Sequence, residues 1–188
     1  RVLRLHWNRW GFSRSADSRN LMSKSWGLKM ALSAEKFAAD ASVGYFDGQR
    51  ERFAHAIVNG DGESAEQVID ELVAAQQAIG DIYLKVITPA LESVGELWCR
   101  AEVSIGEEKL ATQIVLSQME RLRSLFTPPA RSSLYRVMVA CIEGDQHFIG
   151  ARMTADLCGA RGWSVDFLGP NVPNQAVVEM VHRRHPQV

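Results

Sequence analysis

The spacing of the apolar residues changes once along this 188-residue chain, at Thr127-Pro128-Pro129-Ala130-Arg131. Before that point, apolar residues recur three or four positions apart, which predicts amphipathic helices. After it, predicted strands alternate with predicted helices over residues 135–142, 149–161, 164–168 and 175–184. A βαβα order predicts a parallel sheet with right-handed crossovers. The sequence therefore predicts a helical domain followed by an α/β domain.

The apolar pattern predicts four helices between about Ala31 and residue 127. A break at residues 59–62 separates the first two, and Gly80-Asp81 is expected to stop the second after a stripe that ends at Ile79. The third runs to Trp98, with a kink expected at Pro89 because proline removes an intrahelical hydrogen bond. A capping-box pattern opens the fourth, from Ser104 to Glu107. Short links between these helices predict an antiparallel bundle.

The first predicted strand is followed by Asp145-Gln146-His147-Phe148-Ile149-Gly150. Open α/β sheets bind ligands at the carboxyl ends of their strands. Asp145 and His147 are two residues apart, so the carboxylate can accept the proton of one ring nitrogen and leave the other for a metal. One histidine cannot hold a free metal ion. The pair therefore suggests either a general base or an axial ligand to a metal that brings its own equatorial donors, as in a macrocyclic cofactor.

The motif Asp145-x-His147-x-x-Gly150, with Gly162-Trp163 and the run 168–173 (Leu-Gly-Pro-Asn-Val-Pro) after it, resembles the first half of a cobalamin-binding domain. Residues 63–126, which include Gly95-Glu96-Leu97-Trp98 and Glu107-Glu108, resemble the helical cap over the upper corrin face in such proteins. The resemblance covers roughly residues 47–188. It implies a four-helix bundle cap followed by a flavodoxin- or Rossmann-like parallel α/β domain, with cobalamin between the two.

The resemblance implies a role for each residue of the loop. His147 is expected to be the lower axial ligand of cobalt in place of the cofactor's own dimethylbenzimidazole, and Asp145 to orient its imidazole. Gly144 is expected to let the loop approach the ring closely, and Gly150 to let the next helix pack closely. Without the resemblance, the Asp145 and His147 pair would be an ordinary hydrogen-bonded loop pair. No catalytic constellation independent of the cofactor is predicted.

Two cap residues are also implied to line the cofactor site. Trp98 matches the cap tryptophan that covers the upper axial ligand, and Glu108, ten residues later, matches an acidic residue that meets a polar upper ligand. The simpler interpretations are a core aromatic at a helix end and a first-turn glutamate favoured by the helix dipole. Cys99 and Lys109 stand where cobalamin photoreceptors carry histidines. Cys99 is interpreted either as a thiolate ligand or as a small core residue, the latter being the commoner case.

The resemblance to cobalamin photoreceptors predicts a sensory or regulatory protein, not an enzyme. It is expected to bind adenosylcobalamin, with methyl- and hydroxocobalamin as alternatives, and to respond to light or to cobalamin through the upper ligand. The alternative is a corrinoid methyl carrier of a methyltransferase system, whose caps usually carry Phe at the position of Trp98. A third interpretation is a domain that has lost the cofactor and serves only in assembly. A homo-oligomer or a regulatory partner protein is expected in the first case.

Charge is unevenly distributed although the net charge is −1. Residues 1–30 contain seven of the 21 basic residues and one acid, Asp17, and they include three tryptophans. This segment is interpreted either as a weak nucleic-acid or acidic-partner contact or as a linker ordered only by docking. Three cysteines without metal-site spacing, no membrane-length apolar run and no secretory signal predict a cytoplasmic location. The predicted domains are 1–30, 31–127 and 132–188.

The α/β part contains two predicted strands, whereas a flavodoxin-like sheet has about five in the order 2-1-3-4-5. In the cobalamin-binding family, the later strands supply a serine and a glycine-rich turn around the buried nucleotide tail, and no residues here match them. The edge of the first strand would also be apolar and unpaired. We therefore expect the native protein to extend beyond Val188.

Overall fold

The computed structural model describes residues 43–126 and 135–188. The basic segment 1–30, the helix start near Ala31 and the boundary at 127–131 lie outside these ranges and stay predictions. The described elements are α1 (Val43–Val58), α2 (Gly62–Ala74), α3 (Ile79–Ile82), a π-helical segment (Tyr83–Ile87), α4 (Thr88–Cys99), α5 (Ile105–Ser124), β1 (Arg136–Ile142), α6 (Ile149–Ala160), β2 (Ser164–Val172) and α7 (Asn174–Arg184). The predicted fold class, a helical cap followed by a parallel α/β domain, is confirmed.

The cap is a bundle around one apolar core, to which each of its long helices contributes. The stripes predicted from the sequence supply fully buried side chains, among them Phe53, Ile57, Leu72, Val86 and Leu122. Each such side chain stabilises the fold by roughly 1.5–3 kcal/mol relative to its exposed state.

No helix in the described ranges is both long and apolar enough to cross a membrane.

The junction between α2 and α3 differs from the prediction. α2 ends at Ala74, because Gln76 adopts a left-handed conformation with φ 56° and Gln77 N donates to Leu72 O at 3.0 Å. Ile79 therefore begins α3 instead of ending α2, and Gly80-Asp81 lies in the first turn of α3. An acid in a first turn is favoured by the helix dipole. The predicted stop at Gly80-Asp81 is thus wrong by about one turn.

The irregularity expected at Pro89 takes the form of a π-helical segment just before it. Thr88 N donates to Tyr83 O, five residues back, and Thr88 Oγ1 donates to the same carbonyl oxygen at 2.9 Å. Pro89 has no N–H with which to continue regular α-helical bonding, so the extra residue is accommodated on its N-terminal side. The π-helical segment leaves Tyr83 completely buried.

The capping box predicted for the last cap helix is confirmed. Ser104 Oγ accepts a hydrogen bond from Glu107 N at 3.2 Å, and a Glu107 carboxylate oxygen accepts one from Ser104 N at 2.6 Å. These bonds hold the pKa of Glu107 below its usual value. They fix the start of α5 and therefore the position of Glu108 in its first turn.

The sheet in the described residues consists of β1 and β2, paired in parallel. β2 continues to Val172, four residues beyond its predicted end. After α7, the chain returns to β1, where Gln187 N donates to Arg136 O and Met138 N donates to Val188 O, both at 2.9 Å. Alternate residues of a strand direct their backbone groups to opposite edges. The contact is therefore on the edge of β1 away from β2, as the 2-1-3 order requires.

The cap and the α/β domain meet along α6. Met153 of α6 belongs to the same buried core as the cap helices. Beside it, Tyr83 Oη donates to Asp156 Oδ2 at 3.0 Å and Arg152 Nε donates to Asp156 Oδ1 at 3.0 Å. A second guanidinium nitrogen of Arg152 lies 3.1 Å from a Glu120 carboxylate oxygen of α5. We call Tyr83, Glu120, Arg152 and Asp156 the interface cluster.

The interface cluster gives the protein a predicted sensitivity to alkali. Burial raises the pKa of Tyr83 above its ordinary value of 10.0, and the carboxylate of Asp156 raises it further. Above about pH 10 the unfolded chain releases this proton while the folded chain keeps it, so the free energy of unfolding is expected to fall as pH rises. Urea unfolding between about pH 9 and about pH 11 should show a smaller fall for Tyr83→Phe than for the wild type.

The control for this comparison is Tyr45→Phe, which removes an exposed tyrosine hydroxyl of α1. Its curve of stability against pH is expected to follow the wild type. Parallel curves for the wild type and Tyr83→Phe would contradict the assignment of the alkaline loss to Tyr83.

Candidate functional site

The loop after β1 brings Gly144, Asp145 and His147 together. Asp145 N donates to Ile142 O at 3.0 Å and closes a turn in which Gly144 has φ 86°. Asp145 Oδ1 then accepts a hydrogen bond from His147 N at 2.8 Å and lies 3.1 Å from His147 Nδ1. The Asp145 carboxylate is 10% exposed, whereas the His147 side chain is 58% exposed. A nearly buried carboxylate thus holds an imidazole at the surface of the loop.

This geometry directs Nδ1 of the His147 ring toward the Asp145 carboxylate. With Asp145 ionised, Nδ1 of His147 is the donor toward the carboxylate, and Nε2 carries the lone pair that a metal would use. A carboxylate on the far nitrogen orients the ring and increases its basicity as a ligand. The loop can therefore present an oriented imidazole to a metal centre.

The two glycines of this loop differ in backbone conformation. A Cβ built on Gly144 would meet nothing within 4 Å, so close packing within the protein does not require glycine there. The left-handed φ of 86° does, because side chains disfavour that conformation. Gly150 is the second residue of α6, and its carbonyl oxygen accepts a hydrogen bond from Thr154 Oγ1 at 2.9 Å. Its role in close packing stays a prediction.

A thiol lies beneath the loop. The side chain of Cys141 is buried near the end of β1, with its Sγ 3.7 Å from the carbonyl oxygen of His147, toward which it can donate. Burial raises the pKa of Cys141 to about 11, and the nearby Asp145 carboxylate adds to the effect. Near neutral pH, Cys141 is therefore a protonated thiol and a weak competitor for a metal.

Asn171 is a residue of this site that the sequence analysis did not identify. Its side-chain oxygen accepts a hydrogen bond from Gly144 N at 2.8 Å, and its backbone N–H donates to Asp145 O at 2.8 Å. It therefore braces Gly144 and Asp145, which precede His147 in the loop. The only sequence signal was its place in the run 168–173, which carried the resemblance without indicating a contact.

Trp98 and Glu108 lie at one end of the cap. α4 ends at Cys99, Ala101 turns the chain with φ 58°, and α5 begins at Ile105. Trp98 is partly buried in the last turn of α4, so it is not a member of the fully enclosed core. Cys99 beside it is exposed, which contradicts the core interpretation of that cysteine.

The Glu108 carboxylate is incompletely satisfied. Oε1 accepts a hydrogen bond from Thr112 Oγ1 at 3.1 Å. Oε2 is buried without a hydrogen-bond partner; Lys109 Nζ lies 3.0 Å away but not in hydrogen-bonding geometry. A buried oxygen without a donor is uncommon in native folds. A polar group of a ligand bound at this end of the cap would donate the missing hydrogen bond to Oε2.

The six predicted site residues thus form two groups. Gly144, Asp145, His147 and Gly150 share the loop and the start of α6, whereas Trp98 and Glu108 share the end of the cap. α6 contacts α5 at Glu120, twelve residues after Glu108, which corresponds to about 18 Å along a helix axis. The structure therefore brings together the members of each group, but it places the cap pair at the other end of α5 from this contact.

Metal binding by protein side chains alone has no support in residues 43–126 and 135–188, where no cluster of three or more His, Cys, Asp or Glu can hold an ion. A metal at His147 would need most of its ligands from elsewhere. The donor set, one oriented imidazole with a carboxylate behind it, fits a metal that carries its own macrocycle.

Two sequence models, each described as a B12 binding domain, match the chain at residues 49–123 and 135–188. The first spans the cap and the second the α/β domain, and together they span well over half of the chain. The chain belongs to the cobalamin-binding domain proteins.

Its relatives are corrinoid proteins. The trimethylamine corrinoid protein of Methanosarcina barkeri is 31% identical over 140 residues, which are 71% of this chain and 62% of that protein. Monomethylamine corrinoid protein 2 of Methanosarcina acetivorans is 27% identical over 135 residues, 69% of this chain and 60% of that protein. The solved structure of the Methanosarcina barkeri monomethylamine corrinoid protein superposes with a TM-score of 0.63 at 26% identity, covering 77% of this chain and 66% of that one. The chain thus spans about three-fifths of the curated relatives it matches.

These relatives overturn the prediction of a sensor or regulator that takes no part in catalysis. They are corrinoid proteins named for methylamines, and they support neither light sensing nor gene regulation. Contact of residues 1–30 with nucleic acid has no support from them either. The error arose because the prediction relied on the spacing of Trp98 and Glu108, although Cys99 and Lys109 already departed from the photoreceptor pattern.

Proposed function

We propose that this protein is a corrinoid methyl carrier of a methyltransferase system, the alternative considered in the sequence analysis. The observation that carries the proposal is the exposed His147 held by Asp145 at the end of β1, in a chain whose relatives are methylamine corrinoid proteins. The proposed cofactor form is methylcobalamin instead of the adenosyl form first expected. The proposed site of action is the cytoplasm, in keeping with three free cysteines.

Each site residue has a proposed task. His147 would hold the cobalt through Nε2, and Asp145 would fix the ring and its tautomer. Gly144 allows the turn that presents the pair, and Gly150 lets α6 start close to the cofactor. When bound, the cobalt supplies a nucleophile that takes up a methyl group and gives it back.

On the cap side, the proposed task of Trp98 is to cover the upper ligand and exclude water. Glu108 Oε2, which is buried and ion-paired with Lys109 but makes no hydrogen bond, would accept a hydrogen bond from a polar group at the same face. The cap must also move away from the cofactor so that a partner enzyme can reach it. The proposed partner is therefore a methyltransferase that acts on a methylated substrate, with methylamines as the first class to test.

The test is methyl transfer to the loaded protein. The protein is loaded with hydroxocobalamin, reduced, and mixed with a methylamine and each cobalamin methyltransferase from the same genome. We expect one pair of amine and enzyme to convert the absorption spectrum to that of the methylated cofactor, and His147→Ala to be converted more slowly. A protein that binds cobalamin but is methylated by none of them would argue against a carrier. A protein that binds none would favour a role in assembly.

A further inference from the structure

β2 departs from regular pairing at its carboxyl end, next to the His147 loop. Val139 pairs with Phe167, but Ala140 pairs with Gly169 and Ile142 with Val172. At each of these two steps β2 contains one more residue than β1. Extra residues of this kind re-aim a strand and are frequent beside functional sites.

The second extra residue lies between Gly169 and Val172, a stretch that contains Asn171, the residue that contacts the loop. Asn171 has φ 52°, a left-handed conformation in which asparagine is several times commoner than most residues. In that conformation its side-chain oxygen meets Gly144 N and its backbone N–H meets Asp145 O, both at 2.8 Å. Both the backbone and the side chain of one exposed residue are thus used to hold the loop.

The bonds of Asn171 connect directly to those of the imidazole. Asp145, whose carbonyl oxygen is held by Asn171, uses its carboxylate to bind both the backbone N–H and Nδ1 of His147. A displacement of the Gly144-Asp145 backbone would therefore move the carboxylate and rotate the ring. Neither Gly144 nor Asp145 is held by the helix that follows, which begins at Ile149.

We propose that Asn171 is a positioning residue for the lower cobalt ligand. It fixes the Gly144-Asp145 backbone and, through the Asp145 carboxylate, the direction of His147 Nε2. The inference rests on the proposed function, because it takes His147 as the ligand. It predicts that the loop needs two properties at position 171, tolerance of a left-handed backbone and a side-chain acceptor.

Three substitutions separate these properties. Asn171→Gly keeps the conformation but removes the acceptor, Asn171→Asp keeps both, and Asn171→Ala removes the acceptor and strains the backbone. Each protein is loaded with cobalamin and reduced to Co(II), and its electron paramagnetic resonance spectrum gives the fraction with an axial nitrogen. Asn174→Ala, which truncates an exposed amide at the start of α7, is the matched control.

We expect the His-ligated complex of Asn171→Gly to be weakened roughly 2- to 10-fold, the effect of one neutral hydrogen bond. Asn171→Ala should lose more, while Asn171→Asp and Asn174→Ala should keep the wild-type fraction. Wild-type ligation in Asn171→Gly would overturn the inference, even if its thermal stability fell. An axial nitrogen that is absent from the wild type itself would overturn both this inference and the assignment of His147.

Discussion

His147→Ala is expected to remove the axial nitrogen from the Co(II) spectrum of the cobalamin-loaded protein. The imidazole is 58% exposed and lies at the surface of the loop, 3.1 Å from the Asp145 carboxylate, so its removal should disturb the loop little. The α/β domain should therefore stay folded while the cofactor loses its lower protein ligand. Loading protein labelled in histidine with the heavier nitrogen isotope should change each axial triplet to a doublet, which assigns the ligand to a histidine.

The series around this variant separates ligation from orientation. Asp145→Ala keeps the imidazole but removes the carboxylate behind it, and such partners typically contribute 10- to 100-fold to metal affinity. We therefore expect Asp145→Ala to lie between the wild type and His147→Ala. His182→Ala, on the exposed side of α7, should match the wild type. A full axial nitrogen signal in His147→Ala would mean that another group is the lower ligand. It would contradict the assignment of His147.

Long periodic elements were the predictable part of this fold. Helix α6 was expected at residues 149–161 and is found at Ile149–Ala160, and α7 was expected at 175–184 and is found at Asn174–Arg184. α6 has one apolar face, on which Met153 and Ala155 are buried, whereas α7 contacts β1 and contains no buried residue. Periodicity identifies an element such as α6 because the residues that repeat along the helix are those of its buried face.

Positions set by local backbone conformation were not predictable in this way. The end of α2 depends on the left-handed conformation of Gln76, which a glutamine does not require. The apolar stripe through Ile79 therefore suggested a longer helix. Gly169-Pro170 suggested the end of β2, yet the strand continues because two register shifts accommodate extra residues. Both errors arise where tertiary contacts override local preference.

The candidate site was only partly predictable for a related reason. The Asp145 and His147 pair depends on contacts two residues apart, so spacing alone indicated it. Asn171 reaches the loop from another strand, and its register depends on the two irregular steps in β2. The spacing of Trp98 and Glu108 suggested a sensor, but that spacing does not report which upper ligand a cap accommodates.

Asp156→Ala is expected to destabilise the protein more than any surface change, by about 2–4 kcal/mol. The Asp156 side chain is 5% exposed and accepts hydrogen bonds from Tyr83 of the cap and Arg152 of its own helix. Its loss leaves the Tyr83 hydroxyl in the core with only Met119 O, at 3.4 Å. Arg152 keeps its ion pair with Glu120, and its side chain is 21% exposed. The expected loss of stability is therefore smaller than the full cost of an isolated buried charge.

Urea unfolding would measure this loss against Glu66→Ala. Glu66 is a 51% exposed partner of Arg121 at 3.2 Å, and its removal should change the free energy of unfolding by less than about 0.5 kcal/mol. Equal effects of the two substitutions would mean that the interface cluster adds no net stability.

A combined variant tests why Asp156→Ala loses stability: because it leaves buried groups unpaired, or because the polar contacts themselves stabilise the protein. Tyr83→Phe, Arg152→Met and Asp156→Leu together replace the buried polar groups of the interface cluster by apolar side chains. Replacing a whole buried ionic cluster is often neutral or stabilising, whereas breaking it leaves unpaired groups. We therefore expect the triple variant to recover most of the stability that Asp156→Ala loses. If it does, the interface cluster fixes how the cap meets α6 more than it stabilises the fold, because the apolar contact of Met153 with the cap core remains. If the triple variant is as unstable as Asp156→Ala, the polar contacts themselves stabilise the cap on the α/β domain.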